Sequence, residues 1–266
     1  MRLRVVLDGP RDPQYNMALD EAVWRLAGND GDAVLRLYTW RPTGVTIGRG
    51  QSLGSSVDVN EVKRRGWKLA RRPTGGLALI HAEGLELTYS VVLPSSHDFY
   101  KEPVGRSAAL IAEGLRIALE RMGISSSIRG EASPSFGEAG ELCLMNEGSS
   151  DIVVEGRKIS GSAQVRGSRS LLQHGTLMLE ARYEDWHRIM KDAPEPQVLA
   201  RKFAGLSNLG YSVPPLGELL PLVVSGFSDA LGLEPYYSSL KAQELEEAET
   251  LYREKHSQQA WLEYVP

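Results

Sequence analysis

Cysteine is nearly absent. Cys143 is the only one among 266 residues, which excludes an internal disulfide and any zinc site built on several thiolates. What remains for it is a small buried hydrophobe or a reactive thiol. Long apolar runs are missing too: no stretch of about 18 residues is apolar enough to cross a bilayer. The N-terminal Met1-Arg2-Leu3-Arg4 places charge where a signal peptide needs continuity. The expectation is a cytoplasmic protein without a membrane partner. Charge of one sign is also lacking, since 30 basic against 34 acidic residues leave a formal −4. That balance argues against a polyanion binder and sets nucleic acid aside. There is no internal repeat or low-complexity tract, and 42% hydrophobic with 24% charged residues fits an ordinary globular domain rather than disorder or a fibre.

Several catalytic signatures are absent as well. No Gly-Lys-Ser/Thr follows Arg71-Arg72-Pro73-Thr74-Gly75-Gly76 at Walker spacing. No Gly-x-Ser-x-Gly elbow exists. The five histidines are scattered without a ligand pair at helical spacing, so no metal site is expected. Gly48-Arg49-Gly50-Gln51-Ser52-Leu53-Gly54 has the wrong spacing for a dinucleotide loop and reads as a turn.

The elements that are present alternate. A strand over Arg2–Leu7 leads to Asp12-Pro13, an N-cap and first helical position before Met17, Ala18, Ala22 and Val23. Val34–Trp40 and Val45–Gly48 are β-rich and are split by Pro42-Thr43-Gly44. A short charged helix is predicted near Val57–Arg65, followed by strand, glycine turn and strand over Trp67–His81 and a strand over Leu85–Leu93. Ser107–Met122 has helical spacing and stops at Gly123. Residues 125–150 are aperiodic and form a loop that holds Cys143. A hairpin turning at Glu155-Gly156 and a strand over Leu171–Glu180 follow. Helices are predicted over Tyr183–Lys191, Leu216–Leu231 and Ala242–Lys255. The expected class is α+β, a mixed or antiparallel sheet flanked by helices. One catalytic domain over 1–235 would carry a helical C-terminal extension, 236–266, packed on it.

Three clusters are candidates for chemistry. At Arg71-Arg72-Pro73-Thr74-Gly75-Gly76, paired glycines admit a ligand to the backbone and the guanidiniums can hold an anion; a hairpin with two solvated arginines is the equally available alternative. Lys158 precedes the small-residue stretch Gly161-Ser162-Ala163, which suits a tight pocket, although a hairpin lysine is usually solvated. Its charge would favour a nearby thiolate. His81 and His174, the latter beside Gly175, are each satisfied structural side chains by default.

Taken in order, Arg71–Gly76, His81, Glu86-Leu-Thr-Tyr-Ser90, Asp151–Gln164 and Leu172-Gln-His-Gly175 resemble the biotin/lipoate protein ligase superfamily. Leu77 stands where lipoate ligases carry a third glycine, and the Pro-Thr-Gly-Gly and Glu-Leu-Thr-Tyr-Ser forms look more like the cysteine-dependent octanoyltransferases. The resemblance implies the superfamily's catalytic-domain fold and octanoyl transfer from an acyl carrier protein to a lysine of a lipoyl-carrier domain, such as the glycine cleavage H protein or a 2-oxoacid dehydrogenase E2. It places the nucleophile at Cys143 and its activating charge at Lys158. Gly75, Gly76, Gly161 and Ala163 would wall the acyl tunnel; Arg72, Thr74, His81, His174, Ser162 and Gly175 would complete the substrate-binding set. No cofactor is implied for that exchange. The alternatives are an ATP- and magnesium-dependent lipoate–protein ligase, in which Lys158 contacts the acyl phosphate, and a non-catalytic carrier-binding homologue.

Overall fold

The computed structural model describes residues 1–28, 31–129 and 148–264; Cys143 therefore lies outside the described residues. β1 (Leu3–Arg11) runs four residues beyond the expected strand. α1 (Pro13–Leu26) starts where the sequence placed it: Asp12 caps it by accepting from the Gln14 and Tyr15 amides, and Pro13 sits in the first turn. β2 (Ala33–Trp40) and β3 (Gly44–Ile47) follow. The Gly48–Gly54 turn runs into a one-turn α2 (Leu53–Ser56), and α3 (Val59–Arg64) is capped by Asp58. β4 (Lys68–Arg71), β5 (Leu79–His81) and β6 (Glu86–Pro94) come next.

The second half opens with α4 (Asp98–Lys101) and α5 (Val104–Arg121), then β7 (Ser127–Ile128), a two-residue strand inside what reads as loop. β8 (Ile152–Val154) and β9 (Arg157–Arg166) form the expected hairpin, with Glu155 and Gly156 both at positive φ, as its two-residue turn requires. β10 (Ser170–Met178), α6 (Tyr183–Ile189), α7 (Pro196–Lys202) and α8 (Leu216–Leu231) follow. The chain ends with β11 (Pro235–Tyr237), α9 (Ala242–Leu251), a π-helical turn over Tyr252–His256, and α10 (Gln259–Leu262). α7 and β11 are too short to announce themselves by periodicity.

Among the described residues the strands form an eight-stranded mixed sheet, ordered β11-β1-β2-β6-β10-β9-β8-β7, and a three-stranded sheet, β4-β3-β5. β1 is parallel to both β11 and β2, whereas β2, β6, β10 and β9 pair antiparallel. The division expected between residues 235 and 236 falls within β11. In the small sheet β3 separates β4 from β5, so Trp67–His81 is not a simple hairpin. α5 and α8 cover one face of the large sheet, where Leu35, Leu37, Tyr89 and Val91 meet Ile111, Leu115 and Phe227. The other face meets α1 and the small sheet, with Met17, Tyr38, Trp40 and Ala70 in contact. α9 packs on α1 through Ala18, Leu19, Ala22, Ala248 and Leu251.

Candidate active site

Residues opposite each other in paired strands share a face. Two rows therefore cross the sheet on its α1 side: Arg36, Ser90, His174 and Ala163; and Tyr38, Thr88, Thr176 and Gly161. Each row tapers from bulky side chains on β2 to glycine or alanine on β9. The space thus left is a cavity of about 530 Å³, open solvent at its mouth included. Of the residues singled out in the sequence, Arg72, Gly76 and His81 line it from the small-sheet side, and Gly161, Ser162, Ala163, His174 and Gly175 from β9 and β10.

The two arginines correct the solvated-hairpin alternative, because both are buried. Arg71 donates to the carbonyls of Gly48, Arg49, Gln51, Trp261 and Leu262, so it locks the Gly48–Gln51 turn to α10. Arg72 donates to Thr46 Oγ1 at 2.7 Å and to the carbonyls of Gly75 and Leu77 at 3.0 and 2.9 Å. It shapes the glycine turn from within. Gly48 is equally constrained: a Cβ there would stand 1.8 Å from the Gly76 carbonyl oxygen.

Two histidine networks stiffen the walls. Thr46 Oγ1 bonds His81 Nε2 at 2.9 Å, and His81 Nδ1 lies 2.7 Å from Glu86 Oε1, which also accepts from Thr88 and Thr176. His81 stacks on Trp40 at 3.9 Å. On the other side, Thr74 Oγ1 bonds His174 Nε2 at 2.7 Å and His174 Nδ1 meets Asp20 Oδ2 at 2.9 Å; Asp20 further accepts from Tyr38 and Arg36. Burial pushes the His174 pKa down, and the charges of Arg72 and His81 reinforce that against Asp20. The neutral ring then donates from Nδ1 to Asp20 and accepts the Thr74 hydroxyl at Nε2. Burial would raise the Asp20 carboxyl, but the His174 hydrogen bond and the Arg36 guanidinium outweigh it and hold the pKa below the usual range.

Lys158 is not solvated either, with 4% of its surface exposed. In a regular strand, residues 158 and 161 would face opposite sides. The register shift in the β8–β9 pairing changes that. A Cβ on Gly161 would stand 2.8 Å from Lys158 Cε and 3.1 Å from its Nζ, so the lysine runs directly against the cavity's glycine wall. Its Nζ meets Asp151 Oδ2 at 2.8 Å, and the Gly148 amide donates to the same oxygen. Burial raises the Asp151 pKa more than Lys158 lowers it. Ser150 and Ser162 hydroxyls close that corner at 2.8 Å.

Thr74 and Gly75 support the rim rather than line the cavity. Residues that the sequence reading missed are Asp20, Asp151, Thr46 and the β2 side chains Arg36, Tyr38 and Trp40. β2 carried a signal: Arg36, Tyr38 and Trp40 alternate with Leu35 and Leu37, a polar face on a strand buried on both sides. Among the described residues no cluster of three His, Cys, Asp or Glu side chains could hold a metal ion, and no helix is long and apolar enough to cross a membrane.

Residues 12–227 match the lipoyl protein ligase A/B catalytic domain. The chain is similar to octanoyltransferase LipM of Staphylococcus epidermidis, 30% identical over 96% of this chain and 95% of that protein. It is 33% identical to octanoyltransferase LipM of Carboxydothermus hydrogenoformans, over 93% of each. Its fold resembles that of lipoate-protein ligase A bound with ATP, at a TM-score of 0.85 and 23% identity over 98% of both chains.

Proposed function

The chain belongs to the lipoyl protein ligase A/B catalytic domain family, and on that premise we propose that it is a cytoplasmic octanoyltransferase of lipoate biosynthesis, working through a thioester on Cys143. The donor is an octanoyl-acyl carrier protein. The acceptor is a lysine of a lipoyl-carrier domain, such as the glycine cleavage H protein or a 2-oxoacid dehydrogenase E2.

One observation carries this reading: the polar side chains around the cavity bond one another, which suits its lumen to an alkyl chain. Arg72 is turned to carbonyls, His81 to Thr46 and Glu86, and His174 to Thr74 and Asp20. Each methylene of an octanoyl group buried there gains about 0.8 kcal/mol. Lys158, held beside Gly161 by Asp151, supplies the cation at the small-residue wall.

The Cys143 thiolate attacks the carrier's thioester carbonyl. The carbon–sulfur bond to the carrier breaks, the carrier sulfur leaves as a thiolate and takes up the proton that Cys143 lost on ionising, and octanoyl remains on Cys143. A neutral acceptor amine then attacks that thioester, the amide forms, and the amine proton passes to the departing Cys143 sulfur. Lys158 favours the thiolate and stabilises the negative charge on the acyl oxygen. Thioester exchange is nearly balanced in energy and aminolysis of the Cys143 thioester to an amide runs downhill, so neither step needs ATP, magnesium or another cofactor.

Intact mass after incubation with octanoyl-carrier protein tests the proposal. The expected result is one octanoyl adduct, abolished with all transfer in Cys143→Ala. An adduct unchanged in that variant would sink it, and transfer that needs ATP and free lipoate would establish the ligase instead.

A further inference from the structure

A second concavity, about 1000 Å³ including open solvent, lies beside the acyl cavity, between α1, the β9–β10 turn, Pro73 and the C-terminal Lys255 and Trp261. The whole chain is acidic, with a formal charge of −4, yet this groove is lined by Arg25, Arg49, Arg169 and Lys255 against a single carboxylate, Glu21. That carboxylate is already saturated: it meets Arg25 at 2.6 Å, Lys255 at 2.7 Å and His256 at 2.8 Å. Arg49 and Arg169, both exposed, pair with no carboxylate among the described residues. Burial depresses the Lys255 pKa, and the charges of Arg25 and Arg49 add to this against Glu21, which raises it.

The groove's floor is tied to the acyl site. Lys255 Nζ sits 4.1 Å over the Trp261 ring, whose indole donates to the Arg71 carbonyl. Arg71 holds the Arg49 carbonyl at 2.9 Å while the Arg49 amide donates to the Thr74 carbonyl at 2.8 Å. Arg49 is thereby fixed to the same turn that forms the rim of the acyl cavity. This gives a role to Arg49, Lys255 and Trp261, none of which lines the acyl cavity.

We propose that this groove docks the octanoyl donor, its exposed guanidiniums reading the carrier's acidic surface and the phosphodiester of the arm that bears the thioester. Planar guanidiniums suit carboxylate and phosphate oxygens. The donor's arm brings a phosphodiester and the acceptor lysine brings none, so the donor is the occupant. The inference rests on reading the donor as an octanoyl-carrier protein.

The experiment measures binding of octanoyl-carrier protein to the full chain by fluorescence anisotropy, with a lipoyl-carrier domain in parallel. Arg49→Glu/Arg169→Glu should raise the donor Kd at least tenfold and flatten its dependence on salt, while Arg49→Lys/Arg169→Lys stays near wild type. Octanoylation by a small octanoyl thioester, lacking protein and phosphate, should keep its rate in both variants, which also reports that they fold. An unchanged donor Kd, no measurable donor binding by the wild type, or weakening of the acceptor alone would overturn the proposal. Failure of the transferase reading looks different: the donor binds and responds to the charge reversal, but no adduct forms on Cys143.

Discussion

The two faces of the large sheet come from the same strands and are both buried, yet they are built on opposite principles. Toward α5 and α8 lie Leu35, Leu37, Tyr89 and Val91, packed on Phe227. Toward α1, the intervening positions hold Arg36, Tyr38, Thr88 and His174, tied to Asp20 and Glu86 by hydrogen bonds of 2.8–2.9 Å. An apolar face gains from every contact and tolerates local rearrangement. A buried polar face keeps its stability only while every partner is present, and in return it holds the cavity walls in fixed positions. The first face serves stability and the second serves shape.

Removing one anchor from each face should break the comparison most visibly. Phe227→Ala leaves a void against Tyr89, whose ring centroid lies 4.9 Å away, and should cost roughly 3–5 kcal/mol. Asp20→Ala leaves the Tyr38 hydroxyl and His174 Nδ1 buried without a partner, while Arg36 keeps Asp8 and Asn16, and should cost about 3 kcal/mol. Urea unfolding would show similar losses. Octanoylation per folded molecule separates the two, retained in Phe227→Ala and lost in Asp20→Ala. Equal activity in both variants would mean that the polar face has no special claim on the cavity.

Acid should distinguish the polar side in a second way. Burial would raise Glu21, but the hydrogen bond from His256 and the charge of Lys255 outweigh it and leave its pKa at about 2, against an ordinary 4.5. A carboxylate depressed on folding stabilises the native state above its unfolded pKa, and that contribution is lost as pH falls from about 4.5 toward about 2. The loss is at most about 3 kcal/mol, taking 1.36 kcal/mol per unit. In Glu21→Gln this part of the stability–pH curve should flatten, which urea titrations between pH 5 and pH 2 would show. A variant as acid-sensitive as wild type would remove Glu21 from the account.

Local signals made part of this architecture readable in advance. Asp12-Pro13 and Glu155-Gly156 state their own geometry, a cap and a tight turn, within a few residues. The small sheet was not readable, because β4 lies parallel to β3 and β5 antiparallel on its other side, and pairing of that kind is decided by long-range packing. Nor could the sequence tell a solvated Arg71 from a buried one. The carbonyls that accept its hydrogen bonds come from residues 48–51 and 261–262, at opposite ends of the chain. At the candidate site, the family blocks named Arg72, His81, Lys158, Gly161 and His174. Their charged partners Asp20 and Asp151 were given no role, since an acid on an amphipathic helix or at a strand start reads as surface.

The smallest change offers the sharpest test of shape against stability. Gly161 sits where the polar face meets Lys158, and a methyl group there would press on the far end of a flexible side chain, 2.8 Å from Cε. The lysine can move aside only by loosening its buried pair with Asp151, so Gly161→Ala should cost about 1–2 kcal/mol of folding stability, less than either anchor above. Moving it displaces Nζ from its place beside Asp151 and narrows the cavity. Octanoylation should then slow about tenfold, equivalent to about 1.4 kcal/mol of barrier, and a shorter acyl donor should recover only the part due to narrowing. Full recovery with the short donor would show that Lys158 position is irrelevant to the chemistry; no recovery would show that its position, rather than the width of the cavity, limits the reaction.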